Sequence, residues 1–483
     1  MARTTRRAQT AVVGLLTLAL ASFGIALGAA PVGAAAAPTI SGPVVPSSGL
    51  AMGSTLFDLS QVGYQQSEFF LSGNATAYSP NGTLGTDGKW SVTPTSSAAY
   101  KTRIVVRRPI DPKQFKGSVM VEWLNVSAGA DTSPDWIAAH NELIRRGWAW
   151  VGVSAQAVGV NALVNCCSAR YGSLVHPGDS YSYDIFTQAG RAARDQAATV
   201  LGGLAPKRLI AAGESQSAFR LVTYLDAVHP LVRVYNGFLV HSRFATGSAL
   251  SQAPLAAVPV PSPTVIRNDL AEPVMVVEAQ GDVAGSNLGA RQPDTDKFRY
   301  WEMAGTSHAD KYTAPVGLND TGTGTGAVQM LALLRNPGAP GGCGSPPNAG
   351  PHHWILQAAI YHLERWVKSG ILPPIAPRLV VASSSPVVFA LDANGNALGG
   401  IRSPHVDAPI ATLTGTNSGS GFCGLFGSTV PFSAAKIAAL YPTHQAFYTA
   451  WKNAANAAKR AKFLLPQDAK ELKLAAAEST IGR

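Results

Sequence analysis

Five residues offer the clearest chemistry in this chain: Gly213-Glu214-Ser215-Gln216-Ser217. The apolar run from Arg208 to Gly213 reads as a buried strand, and Ala218 to Leu225 reads as a helix. A serine between small residues on a strand-to-helix turn is lifted clear of the sheet, the arrangement called a nucleophile elbow. The N–H groups after it open a helix and face any negative charge that develops there. The usual pattern is Gly-x-Ser-x-Gly, and Ser217 stands where the second glycine would.

A serine hydroxyl is a poor nucleophile at neutral pH. It needs a base within hydrogen-bond reach, and the base needs an orienting acid. On an elbow scaffold these follow in the order serine, acid, histidine, each just past a strand end. The strand Pro273–Glu278 supplies two acids: Asp282, in the turn Ala279-Gln280-Gly281-Asp282, and Glu278 at the strand end itself. Asp282 is preferred, because a Gly-Asp turn lets a carboxylate reach toward a histidine. His308 lies 26 residues further on, after the strand Phe298–Met303 and the turn Ala304-Gly-Thr-Ser307. Of the ten histidines it alone sits past a strand and a glycine turn in the required order. His241 ends a strand but precedes the acid and adjoins Arg243, which suits a structural or substrate-contacting role. His352-His353 opens a helix and reads as a surface or cap feature, and His176 before Pro177-Gly178 as turn chemistry. An oxyanion hole would draw one N–H from Gln216. Its second would come from Asn125 or Val126, in the small-residue loop after the strand ending at Leu124.

The elements that must hold these residues alternate. Strands are expected at Tyr100–Arg107, Gly117–Leu124, Gly147–Ser154, Arg208–Gly213, Val234–His241, Pro273–Glu278 and Phe298–Met303, with helices at Trp136–Arg146, Tyr181–Leu204 and His353–Ser369. This is an α/β pattern: a mostly parallel central sheet with helices on both faces. Near-continuous apolar runs suit central strands buried on both sides. Residues 37–98, rich in Gly, Ser, Thr and Pro, read as an N-terminal extension of loops and edge strands; residues 99–370 read as the core. Two irregular stretches, 242–272 and 309–350, are long enough for lid-like insertions. Residues 371–483 read as a C-terminal α+β appendage with no catalytic signature, its last stretch from Pro431 to Ser479 helical.

Composition narrows the class. Arg3, Arg6 and Arg7, an apolar stretch to about Ala30, and a small-residue run to Pro38 form a secretory signal peptide over residues 1–36, with twin-arginine export open. An uncleaved anchor is the alternative there; no later segment is long and apolar enough to span a bilayer. The net charge of +10 becomes +7 without those three arginines, and the remainder is scattered in pairs such as Arg107-Arg108, with no nucleic-acid motif. Four cysteines in an exported chain favour disulfides. Cys343 and Cys423, both in Gly/Ser/Pro-rich loops, form the expected pair; the adjacent Cys166 and Cys167 stay open between a strained bridge and free thiols. No Cys-x2-Cys pair, His-Glu-x-x-His or Gly-rich phosphate loop is present, so neither a metal nor an organic cofactor is implied.

Taken together, Val121–Ser127, Gly152–Gln156, His176–Phe186, Gly213–Ser217, Ala304–His308 and Gly399–Pro404 resemble the α/β-hydrolase superfamily, and more narrowly its exported "alpha/beta hydrolase domain" group. The resemblance covers nearly the whole mature chain. It implies an α/β-hydrolase fold and a Ser-Asp-His triad on Ser215, Asp282 and His308. Gln280 departs from the pattern, standing where an acid is expected. The function expected is a secreted serine hydrolase, carboxylesterase-like, acting on a small-molecule or polymeric ester. Acyl transfer, amide cleavage and polyester cleavage are rivals on the same site, and a non-catalytic binding protein on the same scaffold is a rival of another class. Trp123, Trp136 and Tyr181 are read as core before pocket lining.

Overall fold

The computed structural model describes residues 37–45 and 51–483, so the segment read as a signal peptide lies outside the described residues. Nine strands make one sheet: β1 (Thr39–Ser41), β2 (Tyr64–Pro80), β3 (Val92–Pro109), β4 (Ser118–Trp123), β5 (Ala149–Val153), β6 (Arg208–Glu214), β7 (Gly237–His241), β8 (Val274–Ala279) and β9 (Phe298–Met303). Their order is β1-β2-β3-β5-β4-β6-β7-β8-β9. The first three strands join antiparallel, and every pairing from β5 to β9 is parallel. The α/β-hydrolase architecture is therefore present, with β6 near the middle.

Alternation along the strands builds both faces. On β6, Leu209 and Ala211 join one core with Ile185 and Phe186, while Ile210 and Ala212 join the other with Trp136, Ile355 and Ile360. The helices that matter to the site are α1 (Pro134–Arg145), α2 (Ser182–Asp195), α3 (Gln216–Thr223) and α4 (His352–Ser369). Helices α5 (His444–Arg460) and α6 (Pro466–Glu478) lie further on. Trp123, Trp136 and Tyr181 are all buried in these cores.

Both expected boundaries dissolve in the fold. The division at residue 98/99 falls inside β3, and β2 pairs with β3 along its whole length. Gly73 sits mid-strand, where a side chain would press on Tyr100 and Gln188. Residues beyond 370 share a core with the segment before them: Leu379, Val406, Leu413 and Trp451 pack with Ala304, Tyr312, Met330 and Trp354. The stretch read as one C-terminal helix is three, Ala434–Leu440 and then α5 and α6. Pro442 and Pro466 divide it, since proline removes a helical donor and suits only a helix start. This region also adds two small antiparallel sheets, Val381–Ser384 with Val387–Phe389 and Ala411–Thr414 with Ser428–Pro431. Among the described residues no helix is long and apolar enough to cross a membrane.

Candidate active site

Ser215 sits between β6 and α3 with φ 56° and ψ −120°, in the region that disfavours a side chain. Its neighbours must be small. A Cβ on Gly213 would lie 2.9 Å from the Ser217 carbonyl oxygen, so strand and helix can touch only there as glycine. Ser217 is itself fully buried, which limits its size. The Ser215 N–H donates to the His241 carbonyl oxygen at 3.0 Å, pinning the elbow to β7.

His308 follows β9 through a turn whose Gly305 has φ +72°, and a Cβ there would meet Val406 at 2.5 Å. Asp282 follows β8 in the short helix Gln280–Gly285. His308 Nε2 lies 2.8 Å from Ser215 Oγ, and His308 Nδ1 lies 2.6 Å from Asp282 Oδ1. The second Asp282 oxygen accepts the Ala279 N–H at 2.6 Å. Gln280, where an acid was expected, ties the two loops: its Oε1 accepts the Gly305 N–H and its own N–H donates to Thr306 Oγ1. Glu278, the alternative acid, is fully buried with neither carboxyl oxygen hydrogen-bonded to another side chain.

A residue missed in the sequence lies inside the motif itself. Glu214 Oε1 is 3.2 Å from His308 Nε2, and the other Glu214 carboxyl oxygen accepts the Asn125 side-chain N–H at 3.1 Å. The variable position of an elbow emerges beside the nucleophile, and that was the signal available. Burial disfavours the His308 imidazolium, but the Asp282 and Glu214 carboxylates outweigh it, and His308 is pushed up to about 9. Burial raises Glu214 to about 7 against the pull of His308 and His241. Asp282 is also buried, yet His308 and its hydrogen bonds hold it below the usual carboxylate range.

Asn125 requires a correction as an oxyanion donor. Its N–H donates to the Thr132 carbonyl at 3.0 Å, and its side chain braces Glu214. A short antiparallel bridge between Asn125 and Thr132 consumes the donor. Among the described residues the N–H groups of Val126 and Gln216 have no protein acceptor, so these two remain.

Beside Ser215 and His308 lies a cavity of about 200 Å³, also lined by Glu214, His241, Asp310, His352 and His353. His352 and His353 are thus buried wall residues, correcting the surface reading; α4 starts beneath the site instead of at the periphery. His176 behaves as expected, accepting the Gly178 N–H within its turn. Phe244, from the 242–272 stretch, packs its ring 5.3 Å from His308. The outer wall is Phe422, Leu425 and Phe426, from the segment read as a remote appendage. No local signal marks residues so far from Ser215 in the chain.

The turn Cys423–Phe426 that carries this wall is tied down three ways. Cys343 and Cys423 form a disulfide with Cα atoms 5.4 Å apart, Ala309 N–H donates to the Leu425 carbonyl, and Asn348 N–H donates to that of Phe426. Cys166 and Cys167 are free thiols. Replacing both Cys343 and Cys423 by serine is expected to cost about 2–4 kcal/mol of stability, as befits a long closed loop. Thermal unfolding measures that loss.

Several solved structures are similar at low identity. A serine hydrolase without lid from Xanthomonas campestris is 16% identical over 48% of this chain and 86% of that chain, with a TM-score of 0.27. A serine hydrolase homologue from Coxiella burnetii is 13% identical over 43% and 84%, TM-score 0.27. A fungal esterase from Rhizomucor miehei is 12% identical over 44% and 65%, TM-score 0.23. No curated protein matches. A family model described as an alpha/beta hydrolase domain matches residues 30–473. With that match over most of the sequence, and the elbow at the end of β6 in the nine-stranded sheet, the chain belongs to the alpha/beta hydrolase domain family.

Proposed function

We propose that the protein is a serine hydrolase that cleaves carboxylic esters through an acyl-enzyme. The observation that carries this reading is the continuous Asp282–His308–Ser215 hydrogen-bond chain ending on a strained elbow serine. His308 takes the Ser215 proton as Oγ bonds to the acyl carbon, and Asp282 holds the ring in the tautomer that can accept it. The N–H groups of Gln216 and Val126 receive the oxyanion. His308 then gives its proton to the leaving alkoxide. A water, deprotonated by the same imidazole, attacks the acyl-enzyme and releases the acid. The small cavity with Leu425 and Phe426 on its wall suits a short acyl or alcohol group. Export by the N-terminal segment belongs to the same reading, and a disulfide near the site fits an oxidising compartment.

A fluorophosphonate probe tests this directly. It should label Ser215, with labelling lost in Ser215→Ala; folded wild-type protein that does not label would sink the mechanism. A p-nitrophenyl ester series should favour short acyl chains.

The pH dependence follows from the charges around His308. Only the neutral imidazole can accept the serine proton, so kcat/KM should rise with pH toward about 9. Glu214→Gln removes one of the two carboxylates that favour the imidazolium. The acid limb of the profile should then move to lower pH by about one unit or more. A limb that stays in place would show that Glu214 does not charge the base.

A further inference from the structure

A second row of hydrogen bonds runs behind the triad, and ester cleavage as written makes no use of it. Asp135 Oδ1 lies 2.8 Å from His241 Nδ1, His241 Nε2 lies 2.6 Å from His352 Nε2, and His352 Nδ1 lies 2.9 Å from the Ser307 carbonyl oxygen. All three side chains are buried. They come from three elements: the first turn of α1, the end of β7 and the first turn of α4. The row touches both halves of the chemistry. The His241 carbonyl oxygen holds the Ser215 N–H, and Ser307 is the residue before His308.

Hydrogen-bond direction can be deduced from one end. A carbonyl only accepts, so His352 Nδ1 carries a hydrogen. A neutral His352 then has a bare Nε2, which must accept from His241 Nε2–H. A neutral His241 in turn has a bare Nδ1, so the hydrogen between it and Asp135 comes from the carboxyl. Three links hold three protons where two neutral imidazoles supply two, and one extra proton resides in the row.

The surroundings place that proton on Asp135. The neighbouring buried acid, Glu122, already accepts N–H bonds from Asp135, Trp136 and the Trp150 indole, while burial and the facing Asp135 raise it well above the usual carboxylate range, so two adjacent carboxylates cannot both stay ionised there. Asp135 Oδ2 has no hydrogen-bond partner. A bare buried oxygen is far costlier on a carboxylate than on a neutral acid. Burial acts the same way, raising Asp135 above the usual carboxylate range and lowering His241 and His352 to about 4.

We propose that Asp135, His241 and His352 are positioning residues, joined by a one-way hydrogen-bond row with a protonated Asp135 as its donor, that fix the His308 loop against the Ser215 elbow. His241 and His352 line the cavity, but every ring nitrogen is engaged, so they offer substrate no free donor or acceptor. Their effect passes through the Ser307 carbonyl and the Ser215 N–H. The kinetic part of this inference rests on the ester-hydrolase reading; the proton arrangement does not.

Two measurements test it. In protein labelled with 15N-histidine at neutral pH, His352 should carry its hydrogen on Nδ1 with Nε2 bare, and His241 on Nε2 with Nδ1 bare. A His352 protonated only on Nε2, or a His241 protonated only on Nδ1, would overturn the proposal without any substitution.

The kinetic arm uses conservative pairs. His352→Phe should lower kcat about 10- to 100-fold with KM nearly unchanged, the scale expected for a small misplacement of the base. His352→Asn, which can still donate to the Ser307 carbonyl, should recover most of that loss. Asp135→Asn keeps a donor toward His241 and should retain most of the activity, whereas Asp135→Leu should lose it as His352→Phe does. Wild-type kcat in folded His352→Phe, or folded Asp135→Asn as damaged as Asp135→Leu, would overturn the proposal. If His352→Phe does not fold, the Asp135 pair decides. A wild-type protein that fails to label with fluorophosphonate sinks the hydrolase reading instead, and the tautomer pattern alone then decides this one.

Discussion

His308→Ala is expected to lower kcat on a p-nitrophenyl ester by about 10⁴- to 10⁶-fold with little change in KM. The loss is large because in the proposed mechanism the ring does three jobs at one atom: Nε2 takes the serine proton, protonates the leaving group and deprotonates the attacking water. Glu214 offers another basic group beside that nitrogen, at 3.2 Å. Asn125 already occupies its second oxygen, so it is a poor substitute. Any activity left in His308→Ala should fall again in His308→Ala/Glu214→Gln if Glu214 serves as a surrogate base. A residual rate indifferent to Glu214 would trace to the oxyanion donors and binding alone. A His308→Ala protein within tenfold of wild type would remove His308 from the mechanism.

Asp282→Asn should be nearly as damaging, about 10⁴-fold in kcat, and the reason lies in the second oxygen. Asp282 Oδ2 accepts the Ala279 N–H at 2.6 Å, so an asparagine must keep its carbonyl there. Its NH2 group is then forced toward His308 Nδ1. A donor facing Nδ1 moves the ring hydrogen to Nε2, and that tautomer cannot accept from Ser215. Glu278→Gln is the matched comparison. Its carboxyl has no side-chain hydrogen bond to lose, so kcat should stay within about threefold even if stability falls. Equal losses in the two variants would return the choice of acid to Glu278.

Much of the trio's placement was legible from local pattern. Ser215, Asp282 and His308 each follow an apolar strand and a small-residue turn, and parallel strands present such turns at one edge of the sheet. The errors have equally physical causes. The loop after β4 reads as offering Asn125 or Val126 as a donor because its residues are small and close, but backbone donors are chosen by pairing, and Thr132 takes the Asn125 N–H. The 37–98 stretch reads as loops and short edge strands because glycine, serine and threonine dilute its strand signal, yet β2 runs long and is secured along its length by β3. His352 reads as a surface or cap feature because a polar residue that opens a helix is commonly exposed; it is buried by β7 and the His308 loop, which are remote in sequence.

The amino-acid sequence by itself determined the α/β alternation, the elbow, and the order of serine, acid and base, because strand periodicity, glycine turns and capping are local. Only the tertiary structure decided what surrounds them. Glu214 lies beside His308, Phe422, Leu425 and Phe426 wall the cavity, and Asp135, His241 and His352 form one buried hydrogen-bonded row. Those contacts join elements up to a few hundred residues apart, and the strand order of the sheet, which no local pattern encodes, brings them together.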